Sequence, residues 1–171
     1  YFEGEPELKY LREDMYLGSY GVRGTKEALE WIENNFNCKI FKIGLETPKL
    51  YHGDCLFLPI TPYDVLVAVN YVDKSELKKL ENYVNVIPVE DDGLLLNGIM
   101  NNFSVGYTLY VGDYSLAFRS KPDLLEKEKQ KKDFLAKVAN DLGLEVIFLS
   151  LTQCLLQGAC LSCLVARLNY T

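Results

Sequence analysis

The sequence is poor in the residues that several common functions require. It contains one histidine, His52, among 171 residues, so a histidine-rich metal site cannot be built from it. Lysine and arginine number 18 against 24 aspartates and glutamates, and the net charge is −6. This balance argues against nucleic acid or an anionic membrane as the partner, because both attract a surplus of positive charge. No stretch approaches the ~18 consecutive apolar residues that span a bilayer, so we expect no membrane segment.

Cysteine is present, but in a pattern that argues against disulfides and metals. The five cysteines are odd in number, and without a secretory signal we expect reduced thiols in a cytoplasmic protein. Zinc would need two ligands besides Cys160 and Cys163, and the remaining cysteines and His52 stand at spacings that match no familiar site. Hydrophobic residues make up 49% and charged residues 25%, which is typical of a globular protein. We therefore expect one domain over residues 1–171 that holds no metal.

Helical and strand patterns recur along the chain at intervals of about 50 residues. Helices are predicted over residues 25–36, 74–83 and 123–142, with Thr25, Ser75 and Asp123 as caps. Strands are predicted over residues 8–11, 15–17, 39–43, 55–58, 65–68, 85–89, 103–105, 108–111 and 144–149. The unit is strand–strand–helix–strand, and a fourth copy begins with a strand over residues 160–168. We expect strands that converge on a centre where loop residues meet; a generic α/β sandwich is the alternative.

Charged residues are dense on the third predicted helix. The run Lys127–Lys132 alternates lysine with glutamate and glutamine. Such a run is usually a solvated face, and it is too short and too mixed in sign to bind nucleic acid. We therefore expect this helix to lie on the outside of the protein with the run exposed to water.

The single histidine stands in a polar segment directly before a predicted strand. At alternating strand spacing, His52 and Asp54 point to the same side. Histidine is the natural general acid or base near physiological pH, which makes His52 a candidate catalytic residue. The alternative is a partly buried structural histidine that hydrogen-bonds Asp54.

A second candidate is Cys163, which follows Gly158 and a run of small residues at the start of the predicted strand over residues 160–168. A thiolate there would be a nucleophile if a base and a cationic substrate lay nearby. A redox or metal pair with Cys160 is one alternative, although positions i and i+3 of a strand face opposite sides, which disfavours a disulfide. An inert buried thiol is the alternative for Cys38, Cys154 and Cys160.

Two loops near the start of the chain complete the candidate set. The acidic segment Phe2–Glu7 is either an exposed terminus or a source of one carboxylate for a cationic substrate. The glycine-rich segment Gly18–Thr25 lacks the spacing of a phosphate-binding loop. Its Arg23 could instead bind a carboxylate through two N–H donors of the guanidinium group.

Four motifs in this order resemble those of the guanidino-group-modifying enzymes, which include dimethylarginine dimethylaminohydrolases, arginine deiminases and amidinotransferases. They are FEGEPE, GSYGVRGT, HGD and GACLSC, at residues 2–7, 18–25, 52–54 and 158–163. The resemblance covers essentially the whole chain and implies an α/β propeller (pentein fold) of ββαβ modules, three to four of them here. A module that usually precedes the first motif would be missing, so we expect an incomplete ring with an exposed apolar edge, completed by an N-terminal segment or by oligomerisation.

The resemblance also implies an activity and its residues. Cys163 would attack the guanidinium carbon, His52 would protonate the leaving amine and then activate water, and Glu3 would hold the guanidinium and orient His52. Asp54 would bind guanidinium nitrogens and Arg23 the α-carboxylate, with no cofactor. The expected enzyme hydrolyses arginine or a methylated arginine to citrulline through a cysteine thiouronium. An amidinotransferase and a non-catalytic propeller that binds a protein or ribosomal partner are the alternatives.

Overall fold

Three small sheets with the same strand arrangement lie in the described part of the chain. The computed structural model describes residues 1–45, 47 and 49–165. In each sheet two antiparallel strands are followed by a helix and by a third strand that runs parallel to the second. The strands are β1 (Leu8–Arg12), β2 (Met15–Tyr20), β3 (Lys39–Gly44), β4 (Phe57–Pro59), β5 (Asp64–Val67), β6 (Asn85–Pro88), β7 (Phe103–Val105), β8 (Thr108–Asp113) and β9 (Glu145–Ser150). The predicted strand–strand–helix–strand repeat is confirmed in all three units.

Six helices lie in the described part of the chain. They are α1 (Lys26–Phe36), α2 (Lys74–Leu80), α3 (Asp92–Leu96), α4 (Ser115–Phe118), α5 (Pro122–Asp141) and α6 (Thr152–Leu156). Helices α1, α2 and α5 connect the second and third strands of their units, as predicted, whereas the short helices α3, α4 and α6 were not expected. Within residues 1–45, 47 and 49–165, no helix is long and apolar enough to cross a membrane.

The structure corrects two of the three predicted helix caps. Thr25 caps α1 by accepting a hydrogen bond from a backbone N–H at 3.3 Å, as expected. The α2 cap is Asp73 rather than Ser75, whose backbone N–H donates to the Asp73 carboxylate at 2.7 Å. Helix α5 begins at Pro122, one residue before the predicted cap Asp123, and has no side-chain cap. The three helices begin at residues 26, 74 and 122, so the repeat is a regular 48 residues.

The first strands of successive units lie next to one another. Strands β1 and β4 are in contact, and so are β4 and β7. Apolar residues on these strands and their partners, among them Leu17, Phe57, Leu66 and Leu109, are fully buried. Because the first strands neighbour one another, the segments that precede them meet at one end. Three short 3₁₀ turns lie there, at residues 5–7, 53–55 and 162–164, and the first contacts the other two.

The strand predicted over residues 160–168 is wrong where the structure describes it. Residues 162–164 form a 3₁₀ turn, and residues 166–168 lie outside the described residues. The apolar pattern of this segment suits a strand, but the backbone N–H of Ser162 donates to the side-chain oxygen of Asn101 at 2.8 Å rather than to a neighbouring strand. The segment therefore folds as a turn beside the third unit.

Candidate active site

Glu3 and His52 form a hydrogen-bonded pair at the end of the sheets where the turns meet. Glu3 Oε2 lies 2.8 Å from His52 Nε2. This hydrogen bond is the main reason why the pKa of Glu3 falls below its usual value. The pair joins residues 49 positions apart in the chain, one before each of two first strands. A carboxylate on one ring nitrogen orients the imidazole, as a general acid or base needs.

The turn after His52 is a single 3₁₀ turn and not the expected strand. Residues 53–55 adopt this conformation, so the prediction that strand alternation places His52 and Asp54 on one side is wrong. The turn instead sends the two side chains to different partners. His52 contacts Glu3, whereas Asp54, only 1% exposed, contacts the segment around Cys163. Residues 52–54 therefore contact both Glu3 and the segment around Cys163.

Cys163 lies against the buried carboxylate. Its Sγ is 3.6 Å from Asp54 Oδ2 and 3.4 Å from Asn101 Nδ2. It belongs to the 3₁₀ turn over residues 162–164, and the residue is exposed, so a substrate can reach the sulfur. The Asp54 carboxylate also accepts hydrogen bonds from Asn101 Nδ2 at 2.8 Å and Ser162 Oγ at 3.3 Å.

Asn101 was missed by the sequence analysis. Its side chain is buried and binds three groups of the site: the Asp54 carboxylate, the Cys163 sulfur and the backbone N–H of Ser162. The repeat carries the signal that could have found it. Glu3, Asp54 and Asn101 each precede the first strand of their own unit, so a polar residue before β7 is placed like the other two.

Arg23 lies at the exposed side of the Glu3–His52 pair. Its Nη1 is 3.5 Å from Glu3 Oε1, and its guanidinium lies 5.7 Å from the centre of the Tyr51 ring. Tyr51 in turn packs against His52, with 4.8 Å between ring centres. About half of the Arg23 side chain is exposed, so the guanidinium pairs with Glu3 and is also accessible from solvent.

The two ends of the acidic segment differ in environment. Glu3 is partly exposed and faces His52. Glu7 is 1% exposed, and its carboxylate accepts a hydrogen bond from the backbone N–H of Glu3 at 3.2 Å. Burial raises the pKa of Glu7. The segment is therefore not simply an exposed acidic terminus, because Glu7 holds the backbone that presents Glu3.

The other cysteines do not share the setting of Cys163. All five cysteines are free thiols. Burial raises the pKa of Cys55 to about 12 and also raises the pKa values of Cys38 and Cys160, which keeps these thiols protonated and unreactive. Throughout the described ranges, up to residue 165, no three His, Cys, Asp or Glu side chains converge as ligands for a metal ion.

The fold of this chain is similar to that of several solved structures. The N-terminal domain of ArgZ, an arginine dihydrolase from cyanobacteria, superimposes with a TM-score of 0.73 at 20% identity over 95% of this chain. AgrE in complex with ornithine and NAD+ gives a TM-score of 0.76 at 20% identity over 95% of this chain. The chain has the fold of the guanidino-group-modifying enzymes. SxtG, an amidinotransferase from Microseira wollei, shares it with a TM-score of 0.67 at 16% identity over 92% of this chain.

The chain spans only part of each of these structures. It covers 55% of the ArgZ domain, 22% of AgrE and 42% of SxtG. No family model matches the sequence, and no curated protein matches it either. The similarity therefore establishes the fold, while activity has to be argued from the residues of the site.

Gly53, the first residue of the 53–55 turn, is expected to tolerate no side chain. A Cβ there would lie 2.8 Å from Ser19 Oγ, 2.9 Å from Phe57 Cζ and 3.0 Å from the Pro6 carbonyl oxygen. Gly53→Ala should therefore push apart the turns that carry His52 and Glu3, at a cost of about 1–3 kcal/mol in the free energy of unfolding. Denaturant unfolding measures this cost. The matched control is Gly44→Ala, whose nearest new contact would be the Tyr20 hydroxyl at 3.3 Å; equal stability of the two variants would contradict the prediction.

Proposed function

We propose that this protein is a cysteine-dependent hydrolase that acts on the guanidino group of arginine or a methylated arginine and releases citrulline and an amine or ammonia. One observation carries the proposal. His52 and Asp54, two residues apart at the 53–55 turn, contact the Glu3 carboxylate and the Cys163 sulfur respectively. These contacts support a site in which a nucleophile, an acid–base residue and two carboxylates from three separate parts of the chain act together, as nucleophilic catalysis requires.

The carboxylates of Glu3 and Asp54 are suited to bind a planar cation. A guanidinium group is a resonance-stabilised cation that binds carboxylates through paired N–H donors. Asp54 is buried and already accepts N–H and O–H donors, and Glu3 lies on the other side of the turn. Bound between them, the guanidinium stays charged, which makes its carbon more open to attack. Its positive charge beside Cys163 also favours the thiolate over the thiol.

The first chemical step forms a bond between Cys163 Sγ and the guanidinium carbon. The tetrahedral adduct collapses when one terminal nitrogen takes a proton from His52 and leaves as ammonia, or as methylamine or dimethylamine from a methylated arginine. The product is an S-alkyl thiouronium in which the substrate carbon is bonded to sulfur. The Glu3 carboxylate accepts a hydrogen bond from His52 Nε2 and orients the ring for this proton transfer.

The second step releases citrulline. His52 is now neutral and takes a proton from water, whose oxygen attacks the thiouronium carbon. The carbon–sulfur bond breaks, Cys163 leaves as the thiolate and citrulline departs with a urea group. The same imidazole serves as acid and then as base, so one histidine is enough. Arg23 binds the α-carboxylate at the entrance of the site, which aligns the substrate along its length.

The proposal extends to the architecture and the partners. We infer that the three repeated units belong to an α/β propeller whose centre is the site, because the first strands of the units lie side by side. The reaction needs no cofactor, since sulfur, imidazole and carboxylates supply every step. A variant of the ArgZ domain, at 20% identity and a TM-score of 0.73, is covalently bound to a reaction intermediate, which supports covalent chemistry in this fold.

An amidinotransferase is the second candidate, favoured by the similarity to SxtG. In that reaction the thiolate would displace the substituted nitrogen, so ornithine would leave first and the amidino group would pass from Cys163 to an acceptor amine. The site residues would be the same. The two reactions differ in which nitrogen departs, and they therefore differ in products.

The experiment that tests the proposal is a product assay. The protein is incubated with arginine, monomethylarginine and dimethylarginine, each with and without a primary amine as acceptor, and citrulline, ornithine and released amines are quantified. Citrulline from at least one substrate without an acceptor is the expected result. Ornithine that appears only with the acceptor would identify the transferase, and no product under any condition would contradict both enzymatic readings.

A further inference from the structure

A buried tyrosine outside the catalytic set holds the segment that carries Cys163. Tyr114 follows β8 and is 1% exposed. Its hydroxyl oxygen accepts a hydrogen bond from the backbone N–H of Leu161 at 3.2 Å. This contact falls on the residue directly before the 162–164 turn, so Tyr114 holds the segment that carries Cys163 at its beginning.

Tyr114 is itself fixed by charged groups of α5. Its backbone N–H donates to Glu128 Oε1 at 2.9 Å, and Lys131 Nζ lies 4.2 Å from the centre of its ring. Glu128 and Lys131 are fully buried and 2.8 Å apart. The absence of a side chain at Gly112 is also needed, because a Cβ there would overlap the Tyr114 hydroxyl. These contacts therefore fix the position of the Tyr114 ring.

The nucleophile segment is thus anchored from two sides. Asn101 accepts the N–H of Ser162 at 2.8 Å from the side of the site, and Tyr114 accepts the N–H of Leu161 from the core. Without the second anchor, the turn would be held by the Asn101 contact and by the contacts of the Ser162 side chain with Lys9 and Asp54. Reacting atoms displaced by about 1 Å can cost roughly a hundredfold in rate, so the position of this turn matters for chemistry.

We propose that Tyr114 is a positioning residue for the Cys163 nucleophile, and that its hydroxyl sets where the sulfur lies relative to Asp54. This inference rests on the proposed function. It assigns a catalytic consequence to the buried Tyr114–Glu128–Lys131 cluster, none of whose members touches the substrate-facing groups Glu3, His52 and Arg23.

The test is Tyr114→Phe, which removes the hydroxyl and leaves the ring. We expect kcat for citrulline formation to fall about tenfold or more, with KM within about twofold of the wild type, because the groups that bind substrate are untouched. The matched control is Tyr107→Phe; Tyr107 is 84% exposed, and this variant should behave as the wild type. Thermal unfolding of both variants is measured in parallel, and Tyr114→Phe should remain folded at the assay temperature.

The outcomes separate the inference from the function on which it rests. Unchanged kcat in Tyr114→Phe, with an active wild type, overturns the inference alone. A rise in KM equal to the fall in kcat also overturns it, because that pattern reports general disturbance of the site. No product from the wild type overturns the proposed function and the catalytic role of Tyr114 together. Faster hydrogen exchange at the Leu161 amide in Tyr114→Phe, beside the loss of kcat, supports the anchoring contact directly.

Discussion

Replacement of Cys163 by serine is expected to reduce citrulline formation by about 10⁴-fold or more. The hydroxyl is close in size to the thiol and can keep the contacts to Asp54 and Asn101. It is nevertheless a far weaker acid than a thiol, so the cationic substrate cannot convert it to a nucleophilic anion near neutral pH. Arginine binding, measured by calorimetry, should survive in Cys163→Ser because the carboxylates that hold the guanidinium remain.

The control for this experiment is Cys38→Ser. Cys38 precedes β3 at the end of the first sheet where Met15 pairs with Lys39, whereas the site lies beyond the opposite ends of these strands. Its pKa is raised by burial, so it contributes no thiolate. Cys38→Ser should keep nearly all of the activity. Activity in Cys163→Ser within tenfold of the wild type would show that the reaction does not pass through this sulfur.

Replacement of Lys131 by methionine should lower the free energy of unfolding by about 3–5 kcal/mol. The lysine is fully buried, and its ammonium group donates to Glu128 Oε2 and to the Gly112 carbonyl oxygen, both at 2.8 Å. Lys131→Met leaves the Glu128 carboxylate buried without a counter-charge and leaves that carbonyl without its donor. Because domains are stable by only about 5–15 kcal/mol, this is a large share of the total. Denaturant unfolding followed by circular dichroism measures it.

Two further variants isolate the cause. Lys129→Met makes the same chemical change at an exposed position of the same helix and should change the free energy of unfolding by about 0.5 kcal/mol or less. The double variant with Glu128→Gln and Lys131→Met removes the uncompensated charge and should regain much of the stability lost in Lys131→Met. A loss in Lys131→Met no greater than in Lys129→Met would mean that the buried pair does not stabilise the fold.

The burial of this pair marks a limit of the sequence analysis. The run Lys127–Lys132 was expected to be solvated, and for Glu128 and Lys131 that is wrong. The physical reason lies in the sheet. Strand β7 begins at Phe103, opposite Tyr110, so β8 extends past it and the backbone of Gly112 has no strand on that side. The Asn102 side chain accepts its N–H and Lys131 donates to its carbonyl oxygen. The residue pattern of the helix does not show that the backbone groups of a distant strand need a partner, so the burial of Lys131 could not be predicted from it.

The site was predictable to the extent that it depends on the repeat. Polar residues before the first strands could be expected to meet, and the close approach of Glu3 to His52 was expected from the resemblance to guanidino-modifying enzymes. Asn101 escaped because an asparagine in such a segment is also typical of a turn. Its contacts to Asp54 and Cys163 join residues 47 and 62 positions away, which only the packed units bring together. The expectation of an incomplete ring with an apolar edge stays a prediction.

The conformation of the segments around His52 and Cys163 was the least predictable part. Both the segment after His52 and the segment around Cys163 carry apolar residues at strand-like spacing, yet both are 3₁₀ turns. In the segment after His52, the lack of a side chain at Gly53 allows Pro6, Ser19 and Phe57 to pack closely against the turn. In the second, side-chain acceptors from Asn101 and Tyr114 take the backbone N–H groups that a strand would have paired. Tertiary contacts, rather than local propensity, decide both.

The central claim is that Cys163 bonds covalently to the substrate carbon during the reaction. The most direct measurement is mass spectrometry of the protein mixed with arginine and quenched in acid during turnover, followed by peptide mapping. The account predicts an adduct on the peptide that contains Cys163, with the mass of arginine less one ammonia. An adduct with the mass of a bare amidino group would identify the transferase instead. Citrulline formation with no adduct on Cys163 at any quench time, and undiminished turnover in Cys163→Ser, would contradict the account.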